Sequence, residues 1–117
     1  RYVPLKRLGT SVNGMPITEE YRFFICYGVV LVCGFYWSSH LNDVIAPRYD
    51  INVLEFVTNI ARIINDRSNF YTIDVGITED GSPIVIELND GQMAGLSENN
   101  PYNLYSNLKR VIYETIR

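Results

Sequence analysis

Residues 71–90, YTIDVGITEDGSPIVIELND, constrain the fold more than any other stretch. Two apolar, β-branched runs face each other across Asp80-Gly81, a dipeptide favoured in tight hairpin turns. Asp74, Glu87 and Asn89 interrupt those runs. Charged groups rarely enter such strands unless they are paired or hold a metal. With Asp80 and Gly81 as the two turn residues, Asp74 lies opposite Glu87, and Thr72 opposite Asn89. Side chains alternate along a strand, so Thr72, Asp74, Val85, Glu87 and Asn89 share one face. Tyr71, Ile73, Val75, Ile84, Ile86 and Leu88 share the other, an apolar surface fit to receive a helix. Two opposed acids repel. A shared proton, a nearby Arg or Lys, or a bound cation relieves that repulsion. Asn89 adds a neutral oxygen two residues beyond Glu87, where a hard cation such as Mg²⁺ takes a further ligand. A solvated sheet face on which two acids happen to meet fits the same pattern.

The remaining elements follow from periodicity. Tyr21–Tyr27 and Val29–Phe35, rich in aromatic and β-branched residues, read as a hairpin broken at Gly28. Tyr2–Leu8 suits a strand, Gly9–Pro16 is turn-rich, and Trp37–Asp50 reads as a loop. Over Ile51–Asn65 the residues Val53, Phe56, Val57, Ile60, Ile63 and Ile64 recur at helical spacing, with Asp50 as N-cap. Asn69–Val75 and Ile84–Asn89 are the strands of the central hairpin. Residues 90–99 form a polar loop, and a second helix starts near Pro101 after Asn100, with Leu104, Leu108, Val111 and Ile112 as its stripe. The order β-β-α-β-β-α predicts an α+β fold, an antiparallel sheet with helices on one face, as a single domain over residues 1–117.

Net charge is −3 and the pI about 5.0, which argues against a nucleic-acid partner, although local basic residues could take a small anion. The longest apolar run, Phe23–Trp37, falls short of the roughly 20 residues of a membrane span and is broken by glycines, so no membrane partner is expected. A turn at Tyr27-Gly28 sets Cys26 opposite Val29 and Cys33 opposite Arg22, so no disulfide is expected. Two unpaired cysteines fit a reducing, cytoplasmic compartment. The chain starts at Arg1 with no signal peptide, as a piece of a longer or processed chain would.

Asp74-Val75-Gly76, followed thirteen positions after Asp74 by Glu87-Leu88-Asn89-Asp90, resembles the C-terminal half of the ATP-grasp fold. The resemblance implies that Asp74, Glu87 and Asn89 match the positions that hold the magnesium of Mg-ATP. Residues 19–31, EEYRFFICYGVVL, are similar to the Glu-x-Arg strand and Gly-turned hairpin that open this half, with Glu20 and Arg22 as the matching residues. Residues 89–96, NDGQMAGL, look like the glycine-containing loop after the metal strand. In all, the resemblance runs from about Val3 to Tyr113. It departs from the family at Thr72, where many members carry a catalytic Arg, leaving Arg22 as the candidate for that charge. It also lacks a counterpart to the first lobe with its phosphate-binding lysine, and Lys6 is not a convincing substitute.

What the resemblance implies is part of an ATP-dependent carboxylate–amine ligase, using Mg²⁺ and ATP and passing through an acyl phosphate. Its expected partners are ATP, a carboxylate and an amine substrate, and the missing N-terminal lobe. Glu20, Arg22 and Asn89 are the candidate nucleotide contacts. Backbone amides around Gly91–Gly95 are candidates for the substrate carboxylate. The alternative is a non-catalytic module binding a divalent cation or a protein. His40 with Ser38 and Ser39 invites a nucleophile–base pair, but no acid is placed near it. Tyr36 and Trp37 suit either a substrate pocket or the core, while Asp90 and Gln92 suit either substrate contact or loop capping.

Overall fold

The computed structural model describes residues 4–10, 14, 16–35, 49–64, 69–91 and 101–116. A small sheet pairs β1 (Arg7–Thr10) with β2 (Pro16–Thr18). The main antiparallel sheet holds β3 (Glu20–Cys26), β4 (Val29–Phe35), β5 (Phe70–Ile77) and β6 (Pro83–Asp90) in the order β4-β3-β5-β6. Two helices complete the described fold, α1 (Ile51–Ile64) and α2 (Pro101–Ile116). The architecture is α+β, as expected. The β1–β2 hairpin is an addition that the turn-rich composition of Gly9–Pro16 hides. No described helix is long and apolar enough to cross a membrane.

The helices do not share one face of the sheet. Val53, Val57 and Ala61 of α1 pack with Tyr21, Phe23, Ile25, Tyr71, Ile73 and Val75. Leu104 and Val111 of α2 pack with Phe24, Cys26 and Leu31 on the opposite side. The cause is β3, whose run Phe23-Phe24-Ile25-Cys26 is apolar at both parities and is buried on both faces. The β5–β6 hairpin alone shows one apolar face, which is why its pattern suggests one covered side. Asn107 ties α2 down by donating a 2.9 Å hydrogen bond from Nδ2 to the Leu31 carbonyl of β4.

Asp50 caps α1 as expected, its Oδ1 accepting from the Val53 amide at 3.1 Å. Two stripe residues are not in the core. Ile63 is 77% exposed and Ile112 is 39% exposed, while Ala61, absent from the expected stripe, is fully buried. Val53, Val57 and Ala61 stand at i, i+4 and i+8, so the contact line of α1 runs along one ridge and leaves Ile63 off it.

Tyr27 and Gly28 form the tight β3–β4 turn with φ of 49° and 77°, the left-handed pair that a two-residue hairpin turn requires. Cys26 pairs with Val29 as the turn dictates, but a bulge at Leu31 then sets Cys33 opposite Phe23, not Arg22. Cys26 therefore lies on the α2 side and Cys33 on the α1 side, and the two thiols cannot meet. Thiol counting after denaturation without reductant should find both. In the native protein Cys26, 1% exposed and with its thiol pKa pushed up by burial, should react much more slowly than the half-buried Cys33. Equal native rates would mean that β3 is not covered by α2.

Candidate functional site

On the α2 side, β3, β5 and β6 set out three rows of side chains. The rows are Glu20–Gly76–Ile84, Arg22–Asp74–Glu87 and Phe24–Thr72–Asn89. The sheet thus brings Arg22, Asp74, Glu87 and Asn89 into adjacent rows, with Glu20 one row away. The opposition of Asp74 to Glu87 and of Thr72 to Asn89 is the one expected from sequence.

The turn does not produce this register in the expected way. β5 ends at Ile77 and β6 starts at Pro83, so Thr78–Ser82 form the connection. The Gly81 amide donates to the Thr78 carbonyl at 2.9 Å, and the Thr78 hydroxyl bonds Asp80. Those bonds, with others from Ser82, hold the exposed Asp80 carboxyl below the usual range. From this turn the pairing runs Ile77–Pro83, Gly76–Ile84, Val75–Val85. A bulge then inserts Ile86 before Asp74 meets Glu87. Without that extra residue Glu87 would fall beside Ile73, on the α1 side. Val85 is consequently on the apolar side opposite Val75, and Ile84 and Ile86 leave it, contrary to the two-residue turn. Gly76 makes room for the bulge. A β-carbon there would lie 2.7 Å from Ile86 Cδ1 and 2.8 Å from Leu5 Cδ2.

Arg22 forks onto Asp74, with Nε donating to Oδ1 and Nη2 to Oδ2, both at 2.9 Å. Arg22 is 8% and Asp74 2% exposed, so this is a buried, two-pronged ion pair. Of the remedies for opposed acids, the chain supplies the arginine. Asp74 is neutralised within the protein, and Glu87 stands exposed on the edge strand beside it. Glu20, Asp74 and Glu87 still outnumber Arg22, which leaves this face negative and attractive to a cation. Glu20 accepts a hydrogen bond from the Thr18 hydroxyl.

Lys6 serves elsewhere. Its Nζ lies 3.4 Å from Glu19 Oε1, and Glu19 Oε2 accepts from the Tyr21 hydroxyl at 2.7 Å. Burial first, and then this carboxylate, push the Tyr21 phenol far above its ordinary pKa. Gly91 is not an anion-binding amide, because it donates to the Phe70 carbonyl at 3.2 Å. Phe70 also packs where a Gly91 β-carbon would stand, its ring atoms 2.7 Å away. Asp90 pairs with Tyr71, which sets it on the α1 side and apart from the acid row. Tyr36, Trp37, Ser38, Ser39, His40 and the loop from Gln92 onward lie outside the described residues.

Sequence reasoning treats Thr72 only as the absence of an arginine. The structure makes it a fully buried residue whose Oγ1 has no hydrogen-bond partner among the described residues. Nothing in the sequence marks it. The Ile86 bulge leaves no signal either.

The donor chemistry of these rows fits a hard cation. Two carboxylates and an amide oxygen face one way, and each Asp74 oxygen keeps a lone pair beyond the one Arg22 uses. Among the described residues no three His, Cys, Asp or Glu side chains gather into an all-protein metal cage. Mg²⁺ is ordinarily bound by one or two carboxylates with phosphate and water completing its shell, so a set this size suits it.

A family model for an ATP-grasp domain, family 3 of its clade, matches residues 1–108. Comparison with curated proteins and with solved structures found no match.

Proposed function

The chain belongs to this ATP-grasp domain family, and from that premise we propose that it forms the metal-binding lobe of an ATP-dependent carboxylate–amine ligase. The observation that carries this reading is the row Arg22–Asp74–Glu87 with Asn89 in the next row, on one negative face of the sheet. Asp74, Glu87 and Asn89 would hold Mg²⁺, which when bound with ATP supplies a Lewis acid at the phosphates. Arg22 locks the Asp74 carboxylate in one orientation, so that donor is preorganised. The permanent charge of Arg22 also offsets the negative charge of a transferring phosphoryl group. Glu20, at the start of β3, is the outer contact of the same face. The reaction is phosphoryl transfer from ATP to a carboxylate, giving an acyl phosphate that an amine attacks. The first lobe belongs to this reading as the partner that closes over the nucleotide.

The test uses the full-length protein. Calorimetry should show ATP binding that needs a divalent cation and disappears with chelator. Incubation with ATP, a panel of carboxylates and hydroxylamine should yield a hydroxamate from one of them, the mark of a trapped acyl phosphate. ATP binding that ignores chelator would overturn the metal assignment.

One observation favours a second reading, a module that binds metal or a protein without chemistry. Both oxygens of Asp74 are already engaged by Arg22, as in a purely structural ion pair. Metal-dependent ATP binding with no hydroxamate from any carboxylate would favour it.

A further inference from the structure

Thr72 is fully buried on the face of the candidate site. It lies two positions before Asp74 on β5 and directly opposite Asn89 of β6. Its hydroxyl has no partner among the described residues. Buried hydroxyls are satisfied in the great majority of cases, and an unsatisfied one costs stability that a valine of the same shape would not. A residue that costs stability and sits between two candidate ligands is a residue kept for what it binds. Its row neighbour on the other side is Phe24, whose ring offers no acceptor. The acceptor must therefore come from outside the rows.

We propose that Thr72 is a ligand-binding residue of this site, its hydroxyl donating to an anionic oxygen of the metal-bound nucleotide phosphates beside Asn89. Threonine can do this from a buried position, since one turn about its side-chain torsion exchanges hydroxyl and methyl. The chemistry suits the place. Arg22 is committed to Asp74 by two of its donors, and both Asp74 and Glu87 are acceptors only when ionised. A phosphate oxygen reaching this corner needs a donor that carries no charge of its own to repel the cation. A hydroxyl supplies it. This inference rests on the nucleotide reading given above.

The experiment compares wild type, Thr72→Val and Thr72→Ser in the full-length protein, by thermal melting without ligand and by calorimetry with Mg-ATP. Thr72→Val should melt at or above the wild-type temperature and bind Mg-ATP about tenfold or more weakly, the loss expected for a hydrogen bond to a charged group. Thr72→Ser should stay within about threefold of wild type in affinity, since it keeps the hydroxyl. If wild type binds Mg-ATP and Thr72→Val binds it equally, the role of Thr72 is overturned while the nucleotide reading stands. If Thr72→Val melts well below wild type, the hydroxyl has a partner within the protein and the proposal is overturned in that way. If wild type does not bind Mg-ATP, the nucleotide reading is overturned and the role of Thr72 with it.

Discussion

Arg22→Met should destabilise the domain by about 3–5 kcal/mol, because it strands the Asp74 carboxylate where only 2% of the residue meets solvent. Asp74→Leu should cost a similar amount by stranding the guanidinium. The double variant should recover most of the loss, since two apolar side chains of similar volume bury without charge. Denaturant melts of the three variants form a double-mutant cycle, and the coupling they return isolates the pair. Additive losses would mean that the two side chains do not meet as the 2.9 Å fork indicates. The double variant has a second use. It keeps the fold and removes one metal ligand, so it should no longer bind Mg-ATP while melting close to wild type.

Glu87→Gln should act in the opposite sense. Glu87 is exposed on an edge strand and faces the Asp74 carboxylate. Loss of its charge relieves a repulsion that Arg22 already softens. Stability of the ligand-free protein should stay level or rise by up to about 1 kcal/mol. Mg-ATP affinity of the full-length protein should fall about 100-fold or more, since loss of even an outer-shell partner of a metal costs about 10–100-fold. Asn89→Ala should weaken Mg-ATP binding with no gain in stability, because it removes an oxygen and no charge. The pairing of measurements is what discriminates. A surface glutamate with no function predicts no change in either, and a structural glutamate predicts lower stability. A Glu87→Gln protein that melts well below wild type, or that keeps its Mg-ATP affinity, removes the metal role from this row.

The two positions most sensitive to tertiary context are bulges, Leu31 on β4 and Ile86 on β6. Both lie on the outer strands of the sheet, where an extra residue is tolerated because one side of the strand has no ladder to break. A period-two reading of the sequence carries no mark of either. At Leu31 that reading misplaces Cys33 by one residue. At Ile86 two departures cancel. The real turn is longer than Asp80-Gly81, and the bulge restores the register that the shorter turn would have given. The opposition of Asp74 and Glu87 is therefore legible, but for a reason other than the one the sequence offers.

Local patterns alone determined the strands from Tyr21 to Phe35 and around Asp74 and Glu87. They also determined the Tyr27-Gly28 turn, the Asp50 cap and helix α1, because each depends on residues within a few positions of one another. The spacing of Asp74, Glu87 and Asn89 was enough to point to the family and to the face on which they meet. Tertiary structure alone decided that β3 lies between β4 and β5, and this follows from long-range pairing that no local pattern encodes. That placement buries Phe23 and Phe24 on opposite faces and sends the two helices to opposite sides. It also brings Arg22 across to Asp74 from fifty-two residues away, which turns an expected pair of repelling acids into a neutralised one. Burial of the Thr72 hydroxyl without a partner is of the same kind, for it depends on what the whole fold packs around a side chain whose own sequence neighbours are ordinary.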